Sequence, residues 1–316
     1  MIPIYAGTTS FEDGKLGKYL LGLNNGWVTK RFTEPEAWAE IAATTLEIDL
    51  IQFSFDLLDP MSNEDCLNEI IPRTIDACKK YGITLQSCFT GGVAYNNNLL
   101  LHPSEDMRKY AFDWYSRAID IAGKLRAEDV GGHMGALTVK DYKNNERRES
   151  LLAQQLKSVK DLSQKCKDVG VKTLLWEIMP VPREPPSTIS QARCILKELE
   201  NTAVPVQLCI DVGHTCNPHP QNVRDNDPYV WLKELGSKSP CIHVQQTDGK
   251  GDRHWPFTKK FNKIGIIEGR KVLAALDASE AGGTYIYPET FPAFEQDDDQ
   301  VIQDMRETVR YWKEFM

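Results

Sequence analysis

Short apolar runs rich in β-branched and aromatic residues recur along the chain, separated by longer segments whose apolar positions return every three or four residues. The first pattern belongs to buried strands and the second to amphipathic helices, so the two predict strands and helices in series. Eight runs read as strands, at residues 4–7, 46–55, 83–88, 129–133, 173–179, 206–212, 241–245 and 284–289. Between the third and fourth, Met107, Ala111, Trp114, Ala118, Ile121 and Leu125 fall on one helical stripe that would face a sheet. Between the fourth and fifth, Leu152, Leu156, Val159, Leu162 and Cys166 do the same, and Gly170 supplies a stop. After the last, Asp297, Asp298 and Asp299 favour a helix N-terminus, and Ile302, Met305, Val309 and Trp312 give that helix a buried face.

Strand–helix units in series, joined by right-handed crossovers, predict an α/β fold of the closed (β/α)8 TIM-barrel type rather than a doubly wound sheet. The largest surplus of chain lies between the first run and a helix near 35–45. There Gly14, Gly17, Gly22, Asn24, Asn25, Gly26 and Trp27 predict a loop serving as a lid or side wall. No repeat, low-complexity tract or linker divides the 316 residues, so a single domain over 1–316 is expected.

Composition narrows the function more than the fold. A net charge of −8 and a pI near 5.4 disfavour a nucleic acid partner, whose phosphates would have to be neutralised. The N-terminal MIPIYAGTTSF lacks a basic segment followed by a long apolar one, and no run is long enough to span a membrane. A cytoplasmic protein acting on small molecules is expected. The eight cysteines contain no Cys-x-x-Cys pair and read as reduced, mostly buried thiols.

In a TIM barrel the working residues stand at the C-terminal ends of strands. Four runs end in metal-type ligands: TLLWEIMP carries Glu177, QLCIDVGH carries Asp211 with His214 three residues on, CIHVQQTD carries His243, and TYIYPETF carries Glu289. Alternation puts Thr173, Leu175 and Glu177 on one face, and Tyr285, Tyr287 and Glu289 on one face. A lone acidic residue at a strand end is commonly a helix cap or a solvated charge. Four on successive strands are harder to assign that way. Three carboxylates and one imidazole held together would need a cation, and this oxygen-rich set suits Mn²⁺ or Mg²⁺, with Co²⁺ or Zn²⁺ as substitutes.

These residues resemble the xylose isomerase-like TIM barrels, and within them the ketose 3-epimerases of the D-tagatose 3-epimerase type. The resemblance covers nearly the whole chain and rests on Glu177 in WEIMP, Asp211-Val212-Gly213-His214, His243 in HVQQTD and Glu289 in YPETF. It implies that Glu177, Asp211, His243 and Glu289 bind the metal, that Glu177 and Glu289 also act on the substrate, and that His214 contacts a substrate oxygen. One departure is evident: those epimerases place a substrate-binding arginine shortly after the metal-binding histidine, whereas here the first is Arg253. WEIMPVPREPP and GGHMG also look like the erythrulose-phosphate epimerases of tetritol breakdown.

The chemistry expected of such a site is proton removal beside a carbonyl, with the metal stabilising the resulting cis-enediolate and the two glutamates dividing the proton transfers. Return of the proton to the opposite face gives an epimerase; return to the neighbouring carbon gives an aldose–ketose isomerase. Further candidate substrate contacts are His133 in GGHMG, Arg183 in PVPREPP, Arg253 and Trp255. His133 is as readily a structural histidine, and Trp255 as readily packing. Asp56 and Tyr5 could meet hydroxyls or simply cap and pack, and His102 and His219 read as loop residues. Lys250, Arg253, His254, Lys259 and Lys260 form a basic cluster after the seventh run that fits a sugar phosphate or a solvated charge run.

An inosose dehydratase-like lyase could use the same site. An endonuclease IV-like nuclease is disfavoured by the acidic balance and the six histidines. Aromatic residues in long loops are candidates for a homo-oligomeric interface.

Overall fold

From residue 46 onwards every predicted run contains a strand of one parallel sheet. The computed structural model describes residues 18–216 and 223–316. Its strands are β1 (Tyr19–Leu21), β2 (Leu23–Asn24), β3 (Leu50–Ser54), β4 (Thr84–Phe89), β5 (Asp129–Gly132), β6 (Thr173–Glu177), β7 (Val206–Asp211), β8 (Cys241–Val244) and β9 (Thr284–Pro288). They pair in the order β1-β9-β8-β7-β6-β5-β4-β3-β2, with helices following the strands around the outside as in a TIM barrel.

The barrel closes through a strand broken in two. Leu21 pairs with Ile286 of β9, Leu23 pairs with Ile51 of β3, and the Gly22 amide between them donates to the Ile286 carbonyl at 3.0 Å. A side chain is excluded at Gly22, because its Cβ would lie 2.3 Å from the Tyr287 ring that fills the barrel. The expected first strand at 4–7 lies outside the described residues, as do Tyr5, Gly14, Gly17 and His219. The expected lid is corrected in part: Gly22 and Asn24 belong to the barrel wall, and Asn25, Gly26 and Trp27 form a buried 3-10 turn above it. The glycine interrupts YLLGLN, leaving pieces of three and two residues that carry no readable period.

The outer helices follow the expected stripes with shifts at their ends. In Glu105–Leu125 the buried face runs through Ala111, Tyr115, Ala118, Ile119, Ile121, Ala122 and Leu125. Met107, expected to be buried, is 44 % exposed in the first turn, where it joins Tyr110 and Trp114 along a surface groove. Gly170, with φ +84°, caps Asn145–Val169, and the Asp297 side chain caps Asp298–Lys313 by accepting from the Gln300 amide. The segment expected as a helix at 35–45 is a short α-helix, Pro35–Glu40, that continues as a π-helical turn, Ile41–Leu46.

Inside the barrel, Leu175, Cys209, Cys241 and Tyr287 pack with Phe89 in one apolar cluster. Two residues further along those strands stand Glu177, Asp211, His243 and Glu289, so the two-residue period places all four on the inner surface one layer higher. No helix among the described residues is long and apolar enough to cross a membrane. All eight cysteines are free, with Cys66 and Cys194 exposed and the other six buried.

Candidate active site

Glu177 is the last residue of β6 and Asp211 the last of β7, His243 stands one short of the end of β8, and Glu289 follows β9 directly. Each offers a ligand atom, and these atoms all lie within 4.8 Å of one another. None of the four residues is more than 2 % exposed. Burying three carboxylates together is costly unless positive charge compensates them.

In Glu177, Glu289 and His243 the hydrogen bonds tether one atom and leave the other turned inward, whereas both oxygens of Asp211 have donors. Asp211 Oδ1 accepts from the backbone amides of Gly213 and His214 at 2.6 and 3.1 Å, which fixes its carboxylate at the turn after β7. Glu289 Oε1 accepts from Asn24 Nδ2 at 3.0 Å, and Glu177 Oε2 accepts from the Tyr95 hydroxyl. His243 Nε2 meets Gln52 Oε1 at 2.7 Å, so the ring donates there and Nδ1 is the atom left to take a proton or a metal. Glu177 Oε1, Glu289 Oε2 and His243 Nδ1 are buried without a hydrogen-bond partner. His243 Nδ1 lies 3.0 Å from Glu289 Oε2 and 3.4 Å from Glu177 Oε1. Burial opposes charging of His243, yet Glu289 and its other acidic neighbours push the imidazole well above its ordinary range. The donor set thus fits a divalent cation: orphaned ligand atoms of the right types converge, and the electrostatics call for positive charge.

His214 and His133 flank this cluster. His214 Nδ1 meets the Ile178 carbonyl at 2.9 Å and lies 3.5 Å from Glu177 Oε1, while its Nε2 lies 3.3 Å from Asp252 Oδ2. His133 follows Gly131 and Gly132, neither of which has room for a side chain: a Cβ would lie 2.0 Å from the Leu175 carbonyl oxygen at the first and 1.9 Å from Thr90 Oγ1 at the second. Its ring stacks on Tyr95 at 5.4 Å, and its Nδ1 is buried without a partner. Burial, reinforced by His214, depresses its pKa to about 3, so it stands neutral.

The remaining sequence candidates have other partners. Arg183 clamps a loop, donating from Nη1 to the Leu137 carbonyl while its own carbonyl accepts from the Leu137 amide. Arg253 pairs with Asp248 at 3.0 Å, and Trp255 stacks on Phe261 at 4.9 Å. Asp56 accepts from the backbone amides of Gly92 and Val93, and His102 Nδ1 accepts from the Ser104 amide. The basic cluster splits: His254 turns inward, with its ring 5.8 Å from that of His214, whereas Lys250, Arg253, Lys259 and Lys260 are exposed.

No sequence pattern gives a site role to Gln52, Tyr95, Gln245 or Asp252 of this surround, and Asn24 is marked only as part of the glycine-rich segment expected as a lid or side wall. Gln245 and Asp252 do stand in the loop that follows His243, the one place where distance along the chain pointed to them. Beside the cluster, Gly26, Trp27, Lys30, Asp56, Phe291 and Phe294 help line a cavity of about 530 Å³. Asn96 and Gly92 line it as well, on the segment that carries Tyr95, and Phe291 packs on His254 at 4.6 Å.

Comparison with known proteins agrees with this fold. Residues 36–314 match the model of a family described as xylose isomerase-like TIM barrel. The D-erythrulose 1-phosphate 3-epimerase of Brucella abortus (strain 2308) is 28 % identical over 299 residues, covering 92 % of this chain and 94 % of the relative. A crystal structure from Rhodospirillum rubrum ATCC 11170, provisionally named a xylose isomerase, superposes with a TM-score of 0.87 at 27 % identity, covering 94 % of this chain and 99 % of the other. The D-psicose 3-epimerase of Clostridium cellulolyticum H10, solved with D-tagatose, shares the fold with a TM-score of 0.69 at 16 % identity, over 93 % of this chain and 98 % of the other.

Proposed function

The chain belongs to the xylose isomerase-like TIM barrel family, and from that premise we propose that it is a metal-dependent carbohydrate isomerase, specifically a ketose 3-epimerase acting on a small ketose phosphate of the tetrulose class. The observation that carries the reading is the convergence of Glu177 Oε1, His243 Nδ1 and Glu289 Oε2, unpartnered and buried, with Asp211. The Brucella abortus relative, named for D-erythrulose 1-phosphate, supports the substrate class.

On this reading Glu177, Asp211, His243 and Glu289 hold one Mn²⁺ or Mg²⁺ ion, with Asp211 and His243 as anchors. The bound ion would supply stabilisation of the negative charge that develops on the substrate's carbonyl oxygen. Glu177 and Glu289 move the proton: one takes it from the carbon beside the carbonyl and the other returns it to the opposite face. Tyr95 steadies the outer oxygen of Glu177 and Asn24 that of Glu289. His133, neutral and with a free ring nitrogen, and His214 are the proposed contacts to substrate hydroxyls. Arg183, Arg253 and Trp255 have structural partners and are left out of this set.

The phosphate end is assigned to the mouth cavity, where Lys30 is an exposed cation and Trp27, Phe291 and Phe294 supply apolar walls. Product analysis tests the reaction. Incubation with phosphorylated tetruloses, pentuloses and hexuloses and with their free counterparts should yield the C3 epimer of a phosphorylated ketose. An aldose or a dehydrated product instead would replace the epimerase by an isomerase or a lyase at the same site.

A further inference from the structure

We propose that Cys209 and Cys241 are an oxidative modification site: a peroxide joins them in a disulfide, and the oxidised protein binds its cation more weakly. The inference goes beyond the proposed epimerase, which uses neither sulfur. Only its second half, the weakened metal, rests on that reading.

The fold brings the two thiols together. Cys209 pairs with Cys241 in the parallel register of β7 and β8, and their sulfurs are in contact at 3.6 Å. Neighbouring strands run about 4.7–4.9 Å apart, inside the range of about 4.4–6.8 Å between Cα atoms that a disulfide spans. The bond therefore needs no change of register. Both residues are wholly buried inside the barrel, packed with Phe89, Leu175 and Tyr287. Among the described residues no other pair of cysteine sulfurs is in such contact.

The pair is linked to the layer above it. Gln52 Nε2 donates to Cys241 Sγ at 3.4 Å, and Gln52 Oε1 accepts from His243 Nε2 at 2.7 Å. The sulfur thus helps hold the amide that orients the imidazole. Asp211 and His243, two residues further along the same strands, are themselves paired across them. A covalent bond shifts the Cys241 sulfur toward Cys209, and with it the support of Gln52. Disturbing such a supporting partner typically lowers metal affinity by about 10- to 100-fold. Because oxidation and metal binding then disfavour one another, bound metal should in turn protect the thiols.

A pair with no exposed surface calls for a small oxidant, and hydrogen peroxide is the class that fits. One thiol gives up its proton and attacks a peroxide oxygen; the O–O bond breaks, a sulfenic acid forms and water leaves. The second thiol attacks that sulfur, the S–S bond forms and a second water leaves. Two thiols and one peroxide thus give one disulfide and two waters. A bulky oxidant such as glutathione disulfide lacks access to either sulfur.

Thiol counting on the full-length chain tests this. Cys66→Ser with Cys194→Ser removes the two exposed sulfurs and leaves six of the eight thiols. After peroxide treatment of the metal-free protein, four thiols should remain on denaturation, and peptide mapping should join Cys209 to Cys241. Glutathione disulfide should leave six, and Mn²⁺ added before peroxide should slow the loss. Isothermal titration of the oxidised protein should show Mn²⁺ bound about 10- to 100-fold more weakly. The same treatment of a Cys209→Ala variant should leave its Mn²⁺ affinity unchanged; should that variant misfold, the peptide map of the parent protein decides. Six thiols after peroxide, or thiols lost without a link between Cys209 and Cys241, would overturn the modification site. A disulfide formed with Mn²⁺ affinity unchanged would overturn the coupling. A disulfide formed in protein that binds no Mn²⁺ in either state would uphold the modification site and overturn the metal-dependent reading instead.

Discussion

Gln52 Oε1 lies 2.7 Å from His243 Nε2, across the ring from the Nδ1 that faces Glu289. The amide, itself held by Asn24, therefore selects the tautomer that leaves Nδ1 a lone pair for the metal. Replacing Gln52 with leucine should lower Mn²⁺ affinity by about 10- to 100-fold, as loss of such supporting partners typically does. Isothermal titration against stripped protein reads this directly, and an unchanged affinity would show that the tautomer is set elsewhere.

Metal and proton compete for the same imidazole. In the metal-free protein burial opposes the charge on His243, but Glu289 and the other acids around it raise its pKa well above the ordinary histidine value. The group is therefore a stronger base than an ordinary histidine, and a proton held on Nδ1 must leave when metal binds. The sign follows: affinity should fall as the pH is lowered and rise as it is raised, and binding near pH 7 should release protons. Titrations in buffers of different ionisation enthalpy measure that release; the same apparent enthalpy in every buffer would contradict it.

Gly132 is expected to be irreplaceable for steric reasons. Its φ of +138° and a Cβ position 1.9 Å from Thr90 Oγ1 leave no space for alanine, and Thr90 Oγ1 also accepts from the His133 amide. Gly132→Ala should cost about 1–3 kcal/mol in urea unfolding through overpacking and strain, and should weaken turnover by displacing His133. A variant with unchanged stability and activity would refute the role given to this glycine.

The position of Lys30 in the mouth cavity separates the two ends of the substrate. Its ammonium stands over the Phe294 ring at 3.9 Å, away from the acidic cluster. Lys30→Ala should raise KM for a phosphorylated ketose several-fold while leaving kcat and the KM of the unphosphorylated sugar nearly unchanged. An equal effect on both sugars would move the phosphate elsewhere.

The chain's legibility follows from what leaves a periodic trace. Glu177, Asp211, His243 and Glu289 could be read because each ends an apolar run whose preceding inward residue, Leu175, Cys209, Cys241 or Tyr287, fixes the face by alternation. The barrel was readable for the same reason. The closing strand was not, since Gly22 breaks it where Tyr287 needs room. Gln52 lies inside a run that was readable as a strand, yet nothing in the pattern distinguishes an amide that orients a histidine from one that merely satisfies the barrel interior. Tyr95 ends the short helix Gly92–Tyr95 and Asp252 sits on a loop, and only the folded chain brings them to Glu177 and His214. The basic run after β8 looked uniform, but the positive φ at His254 turns that one side chain inward and leaves its neighbours in solvent.

The most direct test of the proposed site is solvent deuterium exchange with a phosphorylated tetrulose. In deuterated water, protein loaded with Mn²⁺ should place deuterium on the carbon beside the carbonyl as the epimer accumulates. EDTA should abolish the exchange, and Glu177→Gln and Glu289→Gln should lower it by about 10²- to 10⁴-fold while the fold is retained. Exchange that persists without metal, full exchange in either glutamine variant, or no exchange with any ketose would contradict the account.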